Sequence, residues 1–334
     1  MTLPDPAPAL VAPLRDTLSS AGLDTAGTPI AVALSGGADS AMLAVSVAGL
    51  GVNVRLFHVH HGLQDDADGW AAQVRRLAAL LDLPVDVARV SVATDTGLGI
   101  EAAARAARYQ ALNGLAREYG VAAVLLAHHQ GDQAETVLLR LLRGTGLAGM
   151  AGMAREVVKD GVRYLRPWLD VDRREILAQA ERWAQATGWR AVDDPSNHDA
   201  RYGRGALRTQ VAPALGARWP GWRVALARHA RLAAESAALL DEVAQADFAG
   251  LSPSDDARSF SLAAWRALAP AHQTLVLRYW LTRHGVAMPT EAKLAELTRQ
   301  LRQLHALGHD RQMGVAHAGV QIRCVRGRVV LVVE

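Results

Sequence analysis

The rhythm of hydrophobic and polar positions changes several times along the chain. Residues 30–34 (IAVAL) are an apolar run that stops at a glycine turn, and 39–50 carry small apolar residues throughout, as in a helix covered on most sides. Residues 53–60 (NVRLFHVH) alternate like a strand, and 68–82 have the spacing of an amphipathic helix. A third strand fits 85–91, with Pro84 where a strand can begin. A long helix fits 99–119, a buried strand 121–127 and a further helix 131–143. Such alternation of strand and helix predicts an α/β fold, a parallel sheet with helices on both faces. Ligands of such sheets bind beyond the carboxyl ends of the strands. Three polar segments fall at those ends: 35–40, 58–64 and 128–135.

Beyond residue 145 the pattern breaks up. GTGLAGMAGM at 144–153 reads as a glycine-rich loop able to order over a ligand. Residues 163–168 (RYLRPW) read as an edge strand closed by Pro167. A helix fits 171–187, with Asp172 and Glu175 spaced as a capping pair. The polar stretch 192–208 is too long and too charged for a plain connector. A bridging helix fits 220–246, helical spacing resumes over 259–310 with a break at 285–289, and 319–333 reads as a β-hairpin turning at Arg326–Gly327. The expected organisation is a catalytic domain over 1–218, a linker helix over 219–248, and a smaller, mostly helical domain over 249–334 that ends in the hairpin.

Composition narrows the classes. With 334 residues, half of them hydrophobic and 21% charged, the chain has the make-up of a globular protein able to bury a core without staples. Cys324 is its one cysteine, so an internal disulfide and a cysteine-ligated zinc or iron–sulfur site are excluded. The opening MTLPDPAPAL lacks the features of a secretory signal, and the expected location is the cytoplasm. The net charge of +3 does not announce a nucleic-acid binder, but Lys159 and Lys293 are the only lysines and arginine supplies the remaining positive charge.

The chemistry begins at Ser35-Gly36-Gly37-Ala38-Asp39-Ser40. An apolar strand, a double-glycine turn and a helix make a phosphate cradle: backbone N–H groups approach closely, the helix N-terminus favours anions, and Ser35 and Ser40 add hydroxyl donors. Asp39 would repel bare phosphate, which makes a bridging Mg²⁺ its natural partner. The turn lacks the lysine of the G-x-x-x-x-G-K-[ST] loop and the G-x-G-x-x-G spacing of dinucleotide-binding folds. Asp132 and Glu135, three apart on the expected helix, share a face and can hold a primary ammonium or a Mg²⁺. His128 and His129 beside them leave a metal site open as a second reading, and His58, His60 and His61 a weaker one. The cations Arg201, Arg204, Arg208, Arg218 and Arg223 interleave with Tyr202, Trp219 and Trp222, a composition suited to gripping phosphate and stacking bases. Packing between domains is the bland account of those tryptophans.

SGGADS resembles the PP-loop of the N-type ATP pyrophosphatases. Together with HVHHGL at 58–63, IEAAARAARYQAL at 100–112, HHQGDQAETVLLRLLRGTGLAGMAGM at 128–153, RPWLDVDRREI at 166–176 and DDPSNHDARYGRGALR at 193–208, it is similar to the tRNA(Ile)-lysidine synthetase family. The resemblance implies a ligase that uses ATP and Mg²⁺ to join free L-lysine to a cytidine of tRNA(Ile) through an adenylate. By resemblance, residues 35–40 and His61 would hold ATP, and Asp132 and Glu135 the lysine. Asp39 and Arg105 would join those two acids in catalysis, and Arg143, Arg201, Arg204 and Arg208 would meet the tRNA. The hairpin arginines Arg323, Arg326 and Arg328 would serve the tRNA stem, and a homodimer stands among the open assembly states. The chain departs from the family pattern at Gly131, where the first of two adjacent acids is usual, and at His60 and Gly205, where asparagine is usual. Thiolation of a tRNA base is disfavoured by the single cysteine, amidation by the lack of a glutaminase domain, and a non-catalytic RNA-binding module by the intact Asp39, Ser40, Asp132 and Glu135.

Overall fold

A computed structural model describes residues 3–24, 27–62, 66–92, 100–194, 199–201, 203–304 and 313–333; of residues 100 and 101 it describes the backbone alone. Tyr202, the Glu101 side chain and parts of the 58–64 and 192–208 segments lie outside the described residues. The chain divides into two compact units, Met1–Ala233 and Ala234–Glu334.

In the first unit, strands β1 (Ile30–Ala33), β2 (Val54–His60), β3 (Val85–Arg89), β4 (Ala123–Leu125), β5 (Glu156–Lys159) and β6 (Val162–Leu165) form one sheet in the order β3-β2-β1-β4-β6-β5. All neighbours pair in parallel except β5 with β6. The two-residue period of the strands sorts their side chains between two cores. Ile30, Val32, Val54, Leu56, Ala123 and Leu125 point to one face. There they meet Leu10, Leu14 and Leu18 of α1 (Pro8–Ser20), the nearly all-apolar α2 (Ala38–Ala48), α3 (Ala67–Leu81), and Ile176 and Trp183 of α7 (Arg173–Thr187). Ala31, Phe57, Val124 and Leu126 point to the other face, onto Tyr109, Leu112 and Ala116 of α4 (Ile100–Glu118). The expected α/β fold with helices on both faces is therefore present.

One expectation is corrected. Residues 162–165 are not an edge strand: β6 lies between β4 and β5, and Tyr164 and Leu165 are both buried. The edge is β5, whose four residues are all exposed and carry too little apolar signal to read as a strand. A turn with Asp160 at φ 51° and Gly161 at φ 82° folds it back on β6.

The second unit packs α11 (Leu262–Ala267), α12 (Pro270–Arg283) and α13 (Glu291–Gln303) on a four-stranded antiparallel sheet. Its strands run in the order β7 (Ser259–Ser261), β10 (Arg328–Val333), β9 (Val320–Val325), β8 (Gly314–His317). The expected hairpin is β9–β10, with Arg326 at φ 48° and Gly327 at φ 73° in its turn. Phe260, Trp265 and Trp280 fill the core. Helix α10 (Trp222–Ala249) runs through the boundary between the units. No helix among the described residues is long and apolar enough to cross a membrane.

Candidate active site

The strand order reverses on either side of β1 and β4, and a crevice opens beyond the carboxyl ends of strands at such a point. The glycine turn follows β1 and the His128–Glu135 segment follows β4, so the two meet there. In the turn, Gly36 takes φ +95°, and a Cβ on it would stand 3.3 Å from a methyl of Val192. The Val192 N–H donates to Gly36 O at 3.0 Å and ties the 189–194 strand of coil to the turn. Ser40 Oγ accepts from the Ser35 N–H at 3.1 Å and donates to Gly37 O at 3.1 Å, which fixes the loop before any ligand arrives. Gly37 caps α2, and Ala38 and Asp39 open its first turn.

Helix α5 (Gln130–Leu142) starts with a reciprocal cap. The Asp132 N–H donates to His129 Nδ1 at 3.3 Å, and the His129 N–H donates to Asp132 Oδ2 at 3.1 Å. With Nδ1 accepting, the ring proton sits on Nε2, and Nε2 lies 3.5 Å from Asp132 Oδ2 and 3.9 Å from Asp39 Oδ1. His129 thus links the turn to the acid pair. Burial opposes ionisation of Asp132, but the adjacent imidazoles, the hydrogen bond from the His129 N–H and Arg204 together outweigh it and hold the carboxyl below its ordinary range. His128 is pushed down to about 3 by burial, with Arg166, Arg108 and Arg204 adding to the fall against Asp132, so its ring is neutral at physiological pH.

Asp132 and Glu135 are both buried and share a face, as their spacing requires. Arg208 lies across them: Nε donates to Glu135 Oε1 at 2.8 Å, and Nη2 to Glu135 Oε2 at 2.9 Å and to Asp132 Oδ1 at 3.1 Å. It projects from a π-helical turn, Leu207–Val211, and π turns recur at functional sites. Arg204 donates to Thr136 Oγ1 at 2.9 Å, one residue further along α5. Asp39 is itself engaged by Arg173, whose Nε and Nη2 donate to its two oxygens at 3.2 Å each.

The remaining expected residues lie around this cluster. His61 follows β2, half-buried, its pKa lowered by burial and then by Arg108. Arg105 is exposed on α4 and donates to the Tyr109 hydroxyl at 3.4 Å. Arg201 pairs with its neighbour Asp199 at 2.6 Å. Arg143 is exposed at the end of α5, about 12 Å beyond Glu135 at the helical rise. Among the described residues no carboxylate pairs with Arg105, Arg108, Arg140, Arg166 or Arg204, so this side of the crevice is strongly basic. No group of three or more His, Cys, Asp or Glu able to hold a metal by itself occurs among the described residues. Sequence reasoning missed Arg173 and the pairing of Arg208. Arg173 had a signal: it is a cation at a helix N-terminus, where the helix dipole disfavours one.

Comparison with known proteins bears on this arrangement directly. A profile of the PP-loop domain matches residues 14–215, and one of the TilS substrate binding domain matches 260–330. The chain is 65% identical over 310 residues to a tRNA(Ile)-lysidine synthase of Bordetella pertussis, covering 92% of this chain and 97% of that one. The chain belongs to the tRNA(Ile)-lysidine synthase family. It is thus an enzyme of the ligase type with a PP-loop ATP-binding domain. A more distant family member, from Ralstonia nicotianae, is 48% identical over 311 residues, covering 90% of this chain and 64% of that one. The fold extends beyond the lysidine synthases: a U34-tRNA thiolase from Methanococcus maripaludis superposes with a TM-score of 0.54 at 17% identity, over 67% of this chain and 77% of that one.

Proposed function

We propose that the protein joins the ε-amine of free L-lysine to C2 of the wobble cytidine in a CAU-anticodon tRNA(Ile). In the first step the cytidine O2 bonds to the α-phosphorus of ATP and pyrophosphate leaves. In the second the ε-nitrogen bonds to C2, the C2–O bond breaks, and AMP leaves as the amine gives up its protons. The observation that carries this reading is the meeting of a phosphate cradle and a buried acid pair at one crevice, with His129 Nε2 facing both Asp39 and Asp132.

The chain's own groups divide the work. The N–H groups of Gly36–Asp39 and the Ser35 hydroxyl would hold phosphate oxygens as charge develops on them, and the Ser40 hydroxyl would join them where it gives up Gly37 O. Asp132 and Glu135 would orient the lysine through an ammonium group. One carboxylate with substrate phosphates is an ordinary ligand set for Mg²⁺, so Asp39 fits such an ion once Arg173 releases it. Bound there, Mg²⁺ would neutralise phosphate charge. Thiolation on an iron–sulfur cluster does not suit this chain, because Cys324 is its one cysteine.

The test is transfer of radiolabelled lysine to a tRNA(Ile) transcript. Label entering the RNA only with ATP, with one AMP and one pyrophosphate released per lysine, is the expected result. Asp39→Ala should reduce pyrophosphate release at least ~100-fold, the scale for losing one preorganised charge contact. Unchanged turnover in that variant would remove Asp39 from its role, and label that never enters RNA would overturn the reading.

A further inference from the structure

The carboxylates assigned to lysine already hold a cation. Three hydrogen bonds from Arg208 and one from the His129 N–H engage all four oxygens of Asp132 and Glu135. Both acids are buried and Arg208 is largely so, its side chain 27% exposed against 12% for Asp132 and 7% for Glu135. An arginine beside two carboxylates is an ordinary structural ion pair when nothing else needs those carboxylates. Here something does, on the reading above, and two cations cannot fill one set of oxygens in the same geometry.

We propose that Arg208 is the resting occupant of the amine subsite, and that lysine enters only as the guanidinium leaves. This rests on the lysine-pocket reading of Asp132 and Glu135. The exchange is one cation for another, so the buried acids are never left uncompensated, a state that would be strongly unfavourable. The support of Arg208 suits a side chain that changes partner. It sits on a single π-helical turn between two short helices, Gly203–Ala206 and Ala212–Arg218, rather than inside a long regular one. Arg204, four residues earlier, has no carboxylate partner among the described residues and donates only to the Thr136 hydroxyl. A phosphodiester of the RNA substrate reaching this turn would find both guanidiniums, and it is the anion of the right chemistry to draw Arg208 away. Arg208 thereby makes lysine binding depend on RNA, and it determines that amines find the site closed on the free enzyme.

The experiment measures lysine affinity by equilibrium dialysis with radiolabelled lysine, with and without a tRNA(Ile) transcript and in the absence of ATP. An internal competitor that leaves the subsite open less than a tenth of the time weakens apparent affinity about 10-fold. The expected results are a gain of about 10-fold or more on adding RNA to the wild-type enzyme, and a similar gain without RNA in Arg208→Gln. Arg208→Lys, which keeps a cation, should retain the RNA dependence. Wild-type affinity that is indifferent to RNA overturns the proposal, whatever the variants do. Folded Arg208→Gln that binds lysine no better than wild type overturns it as well. Should Arg208→Gln fail to fold, the wild-type comparison and Arg208→Lys decide alone, and loss of RNA dependence in folded Arg208→Lys overturns it. A wild-type enzyme that never transfers lysine to RNA sinks the functional reading instead; normal transfer with RNA-independent lysine affinity sinks only this inference.

Discussion

Gly131 stands where the family usually has an acid, and the structure gives a physical reason for glycine in this chain. A Cβ at 131 would lie 2.9 Å from His129 Cε1, pressing on the ring that caps α5 and turns Nε2 toward Asp39. Gly205, at another departure, is tighter still: a Cβ there would stand 1.9 Å from Asp199 O. Both glycines are fixed by neighbours and not by flexibility. The neighbouring His128 has a consequence for stability. Burial pushes it down to about 3 in the folded protein, while an unfolded histidine titrates near 6.5. Between these values the unfolded chain takes up a proton that the folded one refuses, so stability falls as pH drops from about 6.5 toward 3. Asp132, held below its ordinary range, acts in the same direction at lower pH, where the unfolded carboxyl protonates first. Urea midpoints at pH 7 and pH 5 should show wild type losing on the order of 1–2 kcal/mol more than His128→Asn. Equal losses would mean His128 is not held neutral.

At the scale of elements, α5 does more than present two acids. Its Arg140 donates through Nη1 to Gly149 O at 2.9 Å and Gly152 O at 2.6 Å. Gln133 donates to Met153 O at 3.0 Å and accepts from the Met153 N–H at 2.7 Å. The glycine-rich stretch that sequence pattern marks as a loop able to order over a ligand is therefore pinned to α5 from both sides, with a short helix, Leu147–Met150, inside it. Charge-assisted hydrogen bonds of this kind are worth about 1.5–3 kcal/mol. Arg140→Gln should speed amide hydrogen exchange across 147–153 by about 10-fold or more, while the β-strand amides keep their protection. Unchanged exchange there would show that other contacts hold the segment.

At the scale of the whole molecule, positive charge is spread over both units. In the second unit a cleft of about 360 Å³ between α12 and α13 is lined by Arg278, Arg299 and Arg302, with Glu291 as its one acid. Arg299 is paired with Glu296, and Arg302 donates to Gln273 Oε1 at 2.6 Å, which leaves Arg278 the best placed to meet a phosphate. If this cleft tracks an RNA backbone, Arg278→Gln should lower the slope of log K against log salt for tRNA binding by about 1. A slope unchanged within error would take Arg278 out of the interface.

The amino-acid sequence by itself determined most of the first unit, because its information there is local. The short apolar runs at 30–34 and 121–127 marked β1 and β4 as strands covered on both sides, and the double glycine between an apolar strand and a helix announced the phosphate turn. The spacing of Asp132 and Glu135 placed them on one face of α5 before any contact was known. The short exposed β5 escaped, since four residues without an apolar period carry no strand signal, and its partner β6 was consequently misread as an edge. What the chain could not disclose locally is which charges meet. Arg173 reaches Asp39 across 134 residues and Arg208 reaches Asp132 across 76. No period or cap links such positions. Arg173 meets Asp39 because α7 packs beside α2 in one core, and Arg208 meets Asp132 because the turn at 207–211 lies against α5; buried carboxylates there need whatever cations the fold supplies. Tertiary structure alone therefore decided that all three acids assigned to ligands, Asp39, Asp132 and Glu135, are held by arginines while they wait.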